Sequence, residues 1–412
     1  MEKIIKFNIF KYELPLLKPL IIKNKQLNSR HGIIINIQTS SGLSGFGEIA
    51  PLPFFNKESL YQDIIQIKDL AKFIINCKLY TDVSFNSENK NELDDINFLN
   101  KKSSIKSINS KNINPFDFNF SLSSIYNFFA NNNLNENIFP SVRFGIEMAL
   151  LNLIFLRRDF KIILNKEVKN VLPVCKLYMI MESDIEKNIF QVINEGYKVI
   201  KIKVGRESLE QEIYKLKKIK RILKNNKSKI KIRLDSNGLW TSDEAVYFGN
   251  EIGAELIEYI EDPLNDLRLY ENFFNKTGIP VAVDEKLNEF LKIYEIRKNI
   301  TRNLNYLKAF ILKPSLIGGF LKTAELIKIA RENNLMAVLS SSFESSIAIS
   351  SIALFAFLTG LIDIPVGLDT LSWFKENLLT EEIKIKNGNI ALTDVLNNIN
   401  NINYNLLKPL DF

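Results

Sequence analysis

Histidine is all but missing from this chain: His31 is the single copy in 412 residues. Its position near the amino end excludes a histidine triad or a histidine metal centre from everything downstream. Cysteine is equally scarce. Cys77 and Cys175 are far apart and follow no metal-ligand or disulfide spacing, which suits a reducing compartment and two buried small hydrophobes. Glycine-rich phosphate cradles are absent, since VGRES at Val204 to Ser208 and IGGF at Ile317 to Phe320 fit neither a dinucleotide nor a nucleotide loop. A basic stripe is missing too. The net charge of +7 comes from lysines spread along the whole chain, so nucleic acid is not an expected partner and small anionic substrates are favoured. The amino-terminal stretch MEKIIKFNIFKYELPL lacks the unbroken apolar segment of a signal peptide. The one long charge-free run, Ser345 to Ile362, is serine-rich and follows a strand-end motif. It reads as a buried helix rather than a membrane span, and a cytoplasmic location without membrane partners is expected.

What is present is concentrated between Val199 and Glu285, in four short β-branched runs, VIKIKVG, IRLDSNG, IEYIEDP and VAVDEK, each ending on charged residues. Strand side chains alternate faces, so Lys201 and Lys203 point the same way. Asp235, Glu261 and Asp284 each close an apolar run. They recur roughly every 25 residues, the length of one strand, one helix and two loops. If consecutive strands pair, the three carboxylates meet at one end of a barrel, and oxygen ligands alone favour a hard cation such as Mg²⁺.

The flanking sequence completes the pattern. Ile4 to Tyr12, Arg30 to Thr39 and Ser44 to Ile49 read as a small antiparallel sheet, with PLLKPLIIKN and APLPFFNKESL as proline-marked loops and a helix from about Leu60 to Leu79. Residues 84–136, rich in Asn, Ser and Lys, read as a polar insertion of weak structure. A helix follows Pro140, with Ser141 as its expected cap. Eight strand-like runs then alternate with helical patterns, which predicts a (β/α) barrel, with a doubly wound open sheet as the alternative. The expected division is a capping domain over 1–136, a barrel over 137–370 and a tail over 371–412 whose Asn-Gly hairpin returns to the capping sheet.

Lys313 ends the sixth run and Ser340, Ser341 and Ser342 end the seventh. In a closed barrel Lys313 faces Lys201 and Lys203 across the mouth. This set suits proton removal next to a carboxylate, because a divalent ion offsets the second negative charge that forms. One lysine must be neutral to act as base, and a neighbouring ammonium lowers its pKa.

On these residues the chain resembles the enolase superfamily, and within its muconate-lactonising subgroup the o-succinylbenzoate synthase family. The resemblance rests on KIK at Lys201 to Lys203, Asp235 in RLDSNG, Glu261 in YIEDP, Asp284 in AVDEK and Lys313 in ILKPSLIGG. SSSFESS at Ser340 to Ser346, GLDT at Gly367 to Thr370, SRHG around Arg30 and GFGEIAPLPFFNKES at Gly45 to Ser59 support the narrower likeness. It implies an α/β fold, a modified (β/α)7β TIM-like barrel with an α+β capping domain, and Mg²⁺ on Asp235, Glu261 and Asp284. It further implies a small carboxylate substrate, Lys203 as base assisted by Lys201, and Lys313 as an electrostatic partner on the opposite face. Arg233, Asn237, Ser341, Ser342 and Arg30 are expected to bind substrate. N-acylamino acid racemase or dipeptide epimerase activity uses the same barrel residues and stays open, as does a non-catalytic carboxylate-binding barrel.

Overall fold

The computed structural model describes residues 2–22, 25–79, 115–134, 137–157, 170–179, 184–297 and 304–411. The capping sheet has the order β15-β1-β2-β3, made of β1 (Glu2–Ile22), β2 (Lys25–Thr39), β3 (Ser44–Ile49) and β15 (Lys408–Leu410), with a short β4 (Lys78–Leu79) on β1. The first hairpin is longer than expected. The PLLKPLII segment is part of β1, because Leu14, Leu16, Leu20 and Ile22 keep the period of two and are all buried. A register shift between Pro15 and Leu20 absorbs the prolines, which donate no ladder hydrogen bond.

Ser59 and Gln62 form a reciprocal capping box at the start of the helix Leu60–Ile74. That helix stops before Asn76 and gives way to β4, short of the expected Leu79. The second half of the polar insertion is also a correction, since Pro115–Asn131 is a helix. Leu122, Ile125, Phe128 and Phe129 supply its buried face, an i, i+3, i+7 pattern hidden among asparagines and serines. The rest of the insertion up to residue 114 lies outside the described residues.

The helix Pro140–Arg157 begins on its proline, as the fixed φ of that residue favours. Ser141 is therefore inside the helix and is not its cap. Its Oγ lies 2.8 Å from both Glu58 Oε1 and Asp63 Oδ2. Burial pushes the Asp63 carboxyl up to about 7. This helix packs directly on β3. A Cβ added at Gly47 would meet the carbonyl of Gly145 at 1.9 Å, so only glycine permits the approach.

The barrel is a parallel sheet of β6 (Lys176–Met179), β7 (Val199–Lys203), β8 (Lys231–Asp235), β9 (Ile257–Glu261), β10 (Val281–Val283), β11 (Leu307–Leu312) and β12 (Met336–Leu339), paired in chain order. Val366 and Gly367 close it, bridging Val174 on one side and Ser340 on the other. A helix follows each of the seven strands, and only a short 3-10 turn, Leu371–Trp373, follows the closing segment. The architecture is thus a (β/α)7β barrel with a separate cap. Its charge-free helix, Ser346–Leu358, is buried on every side between barrel and cap. Thirteen residues span roughly 20 Å, short of a bilayer core. Among the described residues no helix is long and apolar enough to cross a membrane.

The tail differs in one respect from expectation. Its Asn387-Gly388 turn has both φ positive, as a two-residue hairpin requires. The hairpin β13 (Ile385–Lys386) and β14 (Asn389–Ala391) pairs with β5 (Val171–Pro173), the strand that leads into β6. The last strand, β15, is the segment that pairs with β1.

Candidate active site

Register places the charged residues. Lys203 pairs with Asp235 and Asp235 with Glu261, while Ala282 pairs with Glu261, so that Asp284 and Lys313 follow at the same carboxyl end of their strands. Alternation then turns Lys201, Lys203, Asp235 and Glu261 into the barrel together. Lys201 Nζ lies 2.9 Å from Asp235 Oδ2 and is also ion-paired with Glu261. Lys313 Nζ sits 2.6 Å from Asp284 Oδ2. Lys203 is more loosely held, with Asp235 Oδ2 at 3.5 Å and Asn237 Oδ1 at 3.4 Å. Asn237 in turn donates to Glu285 Oε1 at 3.0 Å.

The three amines are not electrostatically equivalent. Burial works against every ammonium here. For Lys201 it is outweighed by Asp235, Glu261 and Asp284, which hold its pKa well above the ordinary lysine value. Lys313 is raised as well, burial being overcome by Asp284. For Lys203 burial prevails: Asp235 pulls upward, but Lys201, Arg206 and Lys313 push down, and the net shift is downward. The carboxylates divide too. Asp235 is buried but lies among Lys201, Lys203 and Lys313, which hold it below the usual range. Glu261 is pushed up to about 7 by burial and by Asp235 and Asp284, despite Lys201.

Among the described residues, no group of three acidic, histidine or cysteine side chains stands in metal-ligand geometry. Asp235, Glu261 and Asp284 are drawn onto the ammonium groups of Lys201 and Lys313 instead. The donor set nevertheless fits a hard divalent cation. Asp235, Glu261 and Asp284 are all buried and stand at the ends of three successive strands, an all-oxygen donor set of the kind such a cation takes.

The remaining expectations divide. Asn237 stands at the site, with a φ of 50°. Ser341 and Ser342 follow β12 at the same end of the barrel, but their hydroxyls are engaged with neighbouring loops. Ser341 Oγ meets Thr370 Oγ1 at 2.9 Å, and Ser342 Oγ meets Ser315 Oγ at 3.5 Å. Arg233 points inward but away from the lysines. Its Nε donates to Glu258 Oε2 at 2.6 Å and its Nη1 to the carbonyl of Pro365 at 2.7 Å. A bulge explains this arrangement: the β8–β9 register slips between Ile232 and Arg233, leaving Glu258 as the extra residue turned toward the arginine. Arg233 therefore braces the barrel interior.

Arg30 is also a clamp rather than a free substrate contact. Its guanidinium donates to the carbonyls of Phe343 at 3.0 Å, Pro51 at 3.1 Å and Ala50 at 2.8 Å, joining the cap to the loop that carries the serines. Phe343 has φ 60°, a strained value for a bulky residue, and its ring packs edge-on to Trp373. Replacing Arg30 with lysine keeps the charge and loses the three-way fork. The expected result is a destabilisation of about 1.5–3 kcal/mol in a denaturant titration; unchanged stability would show that the fork is not needed. His31 lies on the exposed surface of β2, 2.9 Å from Ser29 Oγ and 3.7 Å from Glu13.

Sequence reasoning passed over three residues that the fold brings in. Glu285 and Asp262 are immediate neighbours of the acids already singled out, and adjacency in VDEK and IEDP was their only signal. Phe55 comes from the proline-marked cap loop and places its ring 5.9 Å from Lys313 Nζ.

Comparison with known proteins agrees with this fold. The profile of the enolase C-terminal domain-like family matches residues 184–396, and that of the MenC N-terminal domain matches residues 4–83. The o-succinylbenzoate synthase of Pasteurella multocida is 28% identical over 378 residues, covering 90% of each chain. The chloroplastic protein PHYLLO of Arabidopsis thaliana is 29% identical over 276 residues, 61% of this chain and 16% of its own length. Among solved structures, muconate lactonizing enzyme from Pseudomonas fluorescens superimposes with a TM-score of 0.70 at 17% identity, covering 95% of this chain and 94% of that one. That likeness shows the shared fold. With more than half of its length matched by the family profile and the barrel closed around its charged strand ends, the chain belongs to the enolase C-terminal domain-like family.

Proposed function

We propose that this chain is an o-succinylbenzoate synthase, an enzyme of the hydro-lyase class acting in menaquinone biosynthesis. The reaction is dehydration of 2-succinyl-6-hydroxy-2,4-cyclohexadiene-1-carboxylate to 2-succinylbenzoate. The observation that carries this reading is the asymmetry of the amines: Lys203 is partly buried with its pKa depressed and its nearest carboxylate at 3.5 Å, whereas Lys313 is held by Asp284 at 2.6 Å. One amine is suited to take a proton and the other to remain a cation.

In this reading Lys203 Nζ removes the proton on the carbon bearing the substrate carboxylate, and the electrons of that C–H bond move toward the carboxylate as an enediolate. They return to form the ring double bond as the 6-hydroxyl leaves; proton and hydroxide together make the water lost, and the ring becomes aromatic. Lys313 stabilises the negative charge from the other face. Lys201 keeps its charge and disfavours protonation of Lys203. Asp235, Glu261 and Asp284 would hold Mg²⁺, which supplies positive charge to the substrate carboxylate as the proton leaves.

The test is turnover of the cyclohexadiene carboxylate by purified protein with Mg²⁺, followed by mass spectrometry, with and without EDTA. Metal-dependent 2-succinylbenzoate is the expected product. Folded protein that makes none, yet exchanges the α-proton of N-succinylamino acids or dipeptides in deuterated water, would instead establish the racemase or epimerase reading, in which both lysines act as bases.

A further inference from the structure

Every hydrogen-bonding group of Asp262 is committed to one of the strand ends that carry the three acids or to the helix behind them. Its backbone N–H donates to the carbonyl of Ala282 at 3.0 Å. Its carbonyl accepts from Gly238 N at 2.7 Å and Ser236 Oγ at 3.0 Å, both in the loop following Asp235. The carboxylate takes the backbone N–H groups of Asp284, at 3.3 Å to Oδ1, and Glu285, at 2.7 Å to Oδ2, while Tyr270 OH reaches Oδ1 at 3.0 Å. Asp262 itself directly follows Glu261. One residue thus ties together the ends of β8, β9 and β10.

The backbone here is costly to adopt. Asp262 has φ 39°, a left-handed conformation reached immediately before Pro263, where the choice of conformations is already narrow. Such strain persists only where the surroundings over-determine it, and six hydrogen bonds from one 2% exposed residue do so.

We infer that Asp262 is a positioning residue that sets the mutual placement of Asp235, Glu261 and Asp284 for a divalent cation. This rests on the reading of those three residues as cation ligands. Neutral asparagine has the same shape but only one accepting atom, so in either orientation one of the Asp284 and Glu285 N–H groups faces an amide donor.

The experiment measures Mn²⁺ affinity and the electron paramagnetic resonance line shape of the bound ion, together with thermal unfolding, for wild type, Asp262→Asn, Tyr270→Phe and Asp284→Asn. Asp262→Asn is expected to raise the Mn²⁺ dissociation constant by about 10–100-fold and to broaden the spectrum. Tyr270→Phe, which takes one neutral bond from the carboxylate and fits the same space, is expected to raise it by about 2–10-fold. If Asp262→Asn does not fold, the tyrosine variant decides the matter by the same two readouts. Lower melting temperatures with unchanged affinity and line shape would leave Asp262 a purely structural residue and overturn the inference. Wild-type protein that binds no Mn²⁺, or Asp284→Asn that binds like wild type, would instead remove the cation reading itself, and the inference with it.

Discussion

Replacing Lys203 with alanine is expected to lower kcat on the cyclohexadiene carboxylate by about 10²–10⁴-fold, the range a positioned general base contributes, with little change in fold. The amine is partly buried, its pKa is depressed by desolvation and by Lys201, Arg206 and Lys313, and no ion pair shorter than 3.5 Å holds it. Asp235, its nearest acid, keeps Lys201 at 2.9 Å after the substitution, so no carboxylate is left buried without a counter-charge. The pH dependence has a definite sign. A base acts when neutral, so wild-type kcat/KM rises with pH as Lys203 loses its proton and is lost as pH falls through that depressed pKa. Lys203→Arg keeps a cation that does not deprotonate and is expected to be inactive across the same range. Wild-type-like turnover by Lys203→Ala, measured under saturating Mg²⁺, would assign the base elsewhere, with Lys313 the first residue to examine.

Replacing Glu48 with alanine is expected to cost about 3–5 kcal/mol of stability, because several buried donors lose their acceptor together and each one left unsatisfied costs about 1–3 kcal/mol. Glu48 is fully buried at the junction of cap and barrel. Its carboxylate accepts from Tyr12 OH at 2.5 Å, Ser345 Oγ at 2.5 Å, Ser345 N at 2.8 Å and Ala348 N at 3.1 Å. The last two are N–H groups at the start of the helix Ser346–Leu358, where a negative charge also favours the helix dipole. Alanine leaves these donors without an acceptor and opens a space between the domains. Denaturant unfolding followed by circular dichroism measures the loss, and Glu48→Gln, which retains one acceptor, is expected to fall between. A change below about 1 kcal/mol, the size of one ordinary hydrogen bond, would show that water or a shifted helix replaces the carboxylate.

Much of the barrel was legible in advance because its signals are local. VIKIKV, IRLD, IEYIE and VAVDE show β-branched runs of strand length, and the intervening segments carry helical periodicity. The prolines at 15 and 19 misled, since they marked a loop where the even-numbered leucines and isoleucine continue a strand. The helix Pro115–Asn131 was hidden by the Asn-, Ser- and Lys-rich residues around it, which outweighed its own apolar positions. Arg233 and Arg30 are expected at the substrate from the family resemblance, the first also because it shares a strand face with Asp235. The first does face the barrel interior, but a bulge in β9 turns Glu258 toward it and engages its guanidinium, and the second reaches a carbonyl that lies 313 positions away in the chain.

Alternation along each strand and the regular return of strand after helix depend only on neighbouring residues. The sequence by itself therefore determined that Lys201 shares a face with Lys203 and that Asp235, Glu261, Asp284 and Lys313 close successive strands. Which amine is held and which is poised to act was decided by the tertiary structure. A lysine's proton affinity depends on its burial and on charges a few ångströms away, and those charges come from other strands whose distances arise only when the barrel closes.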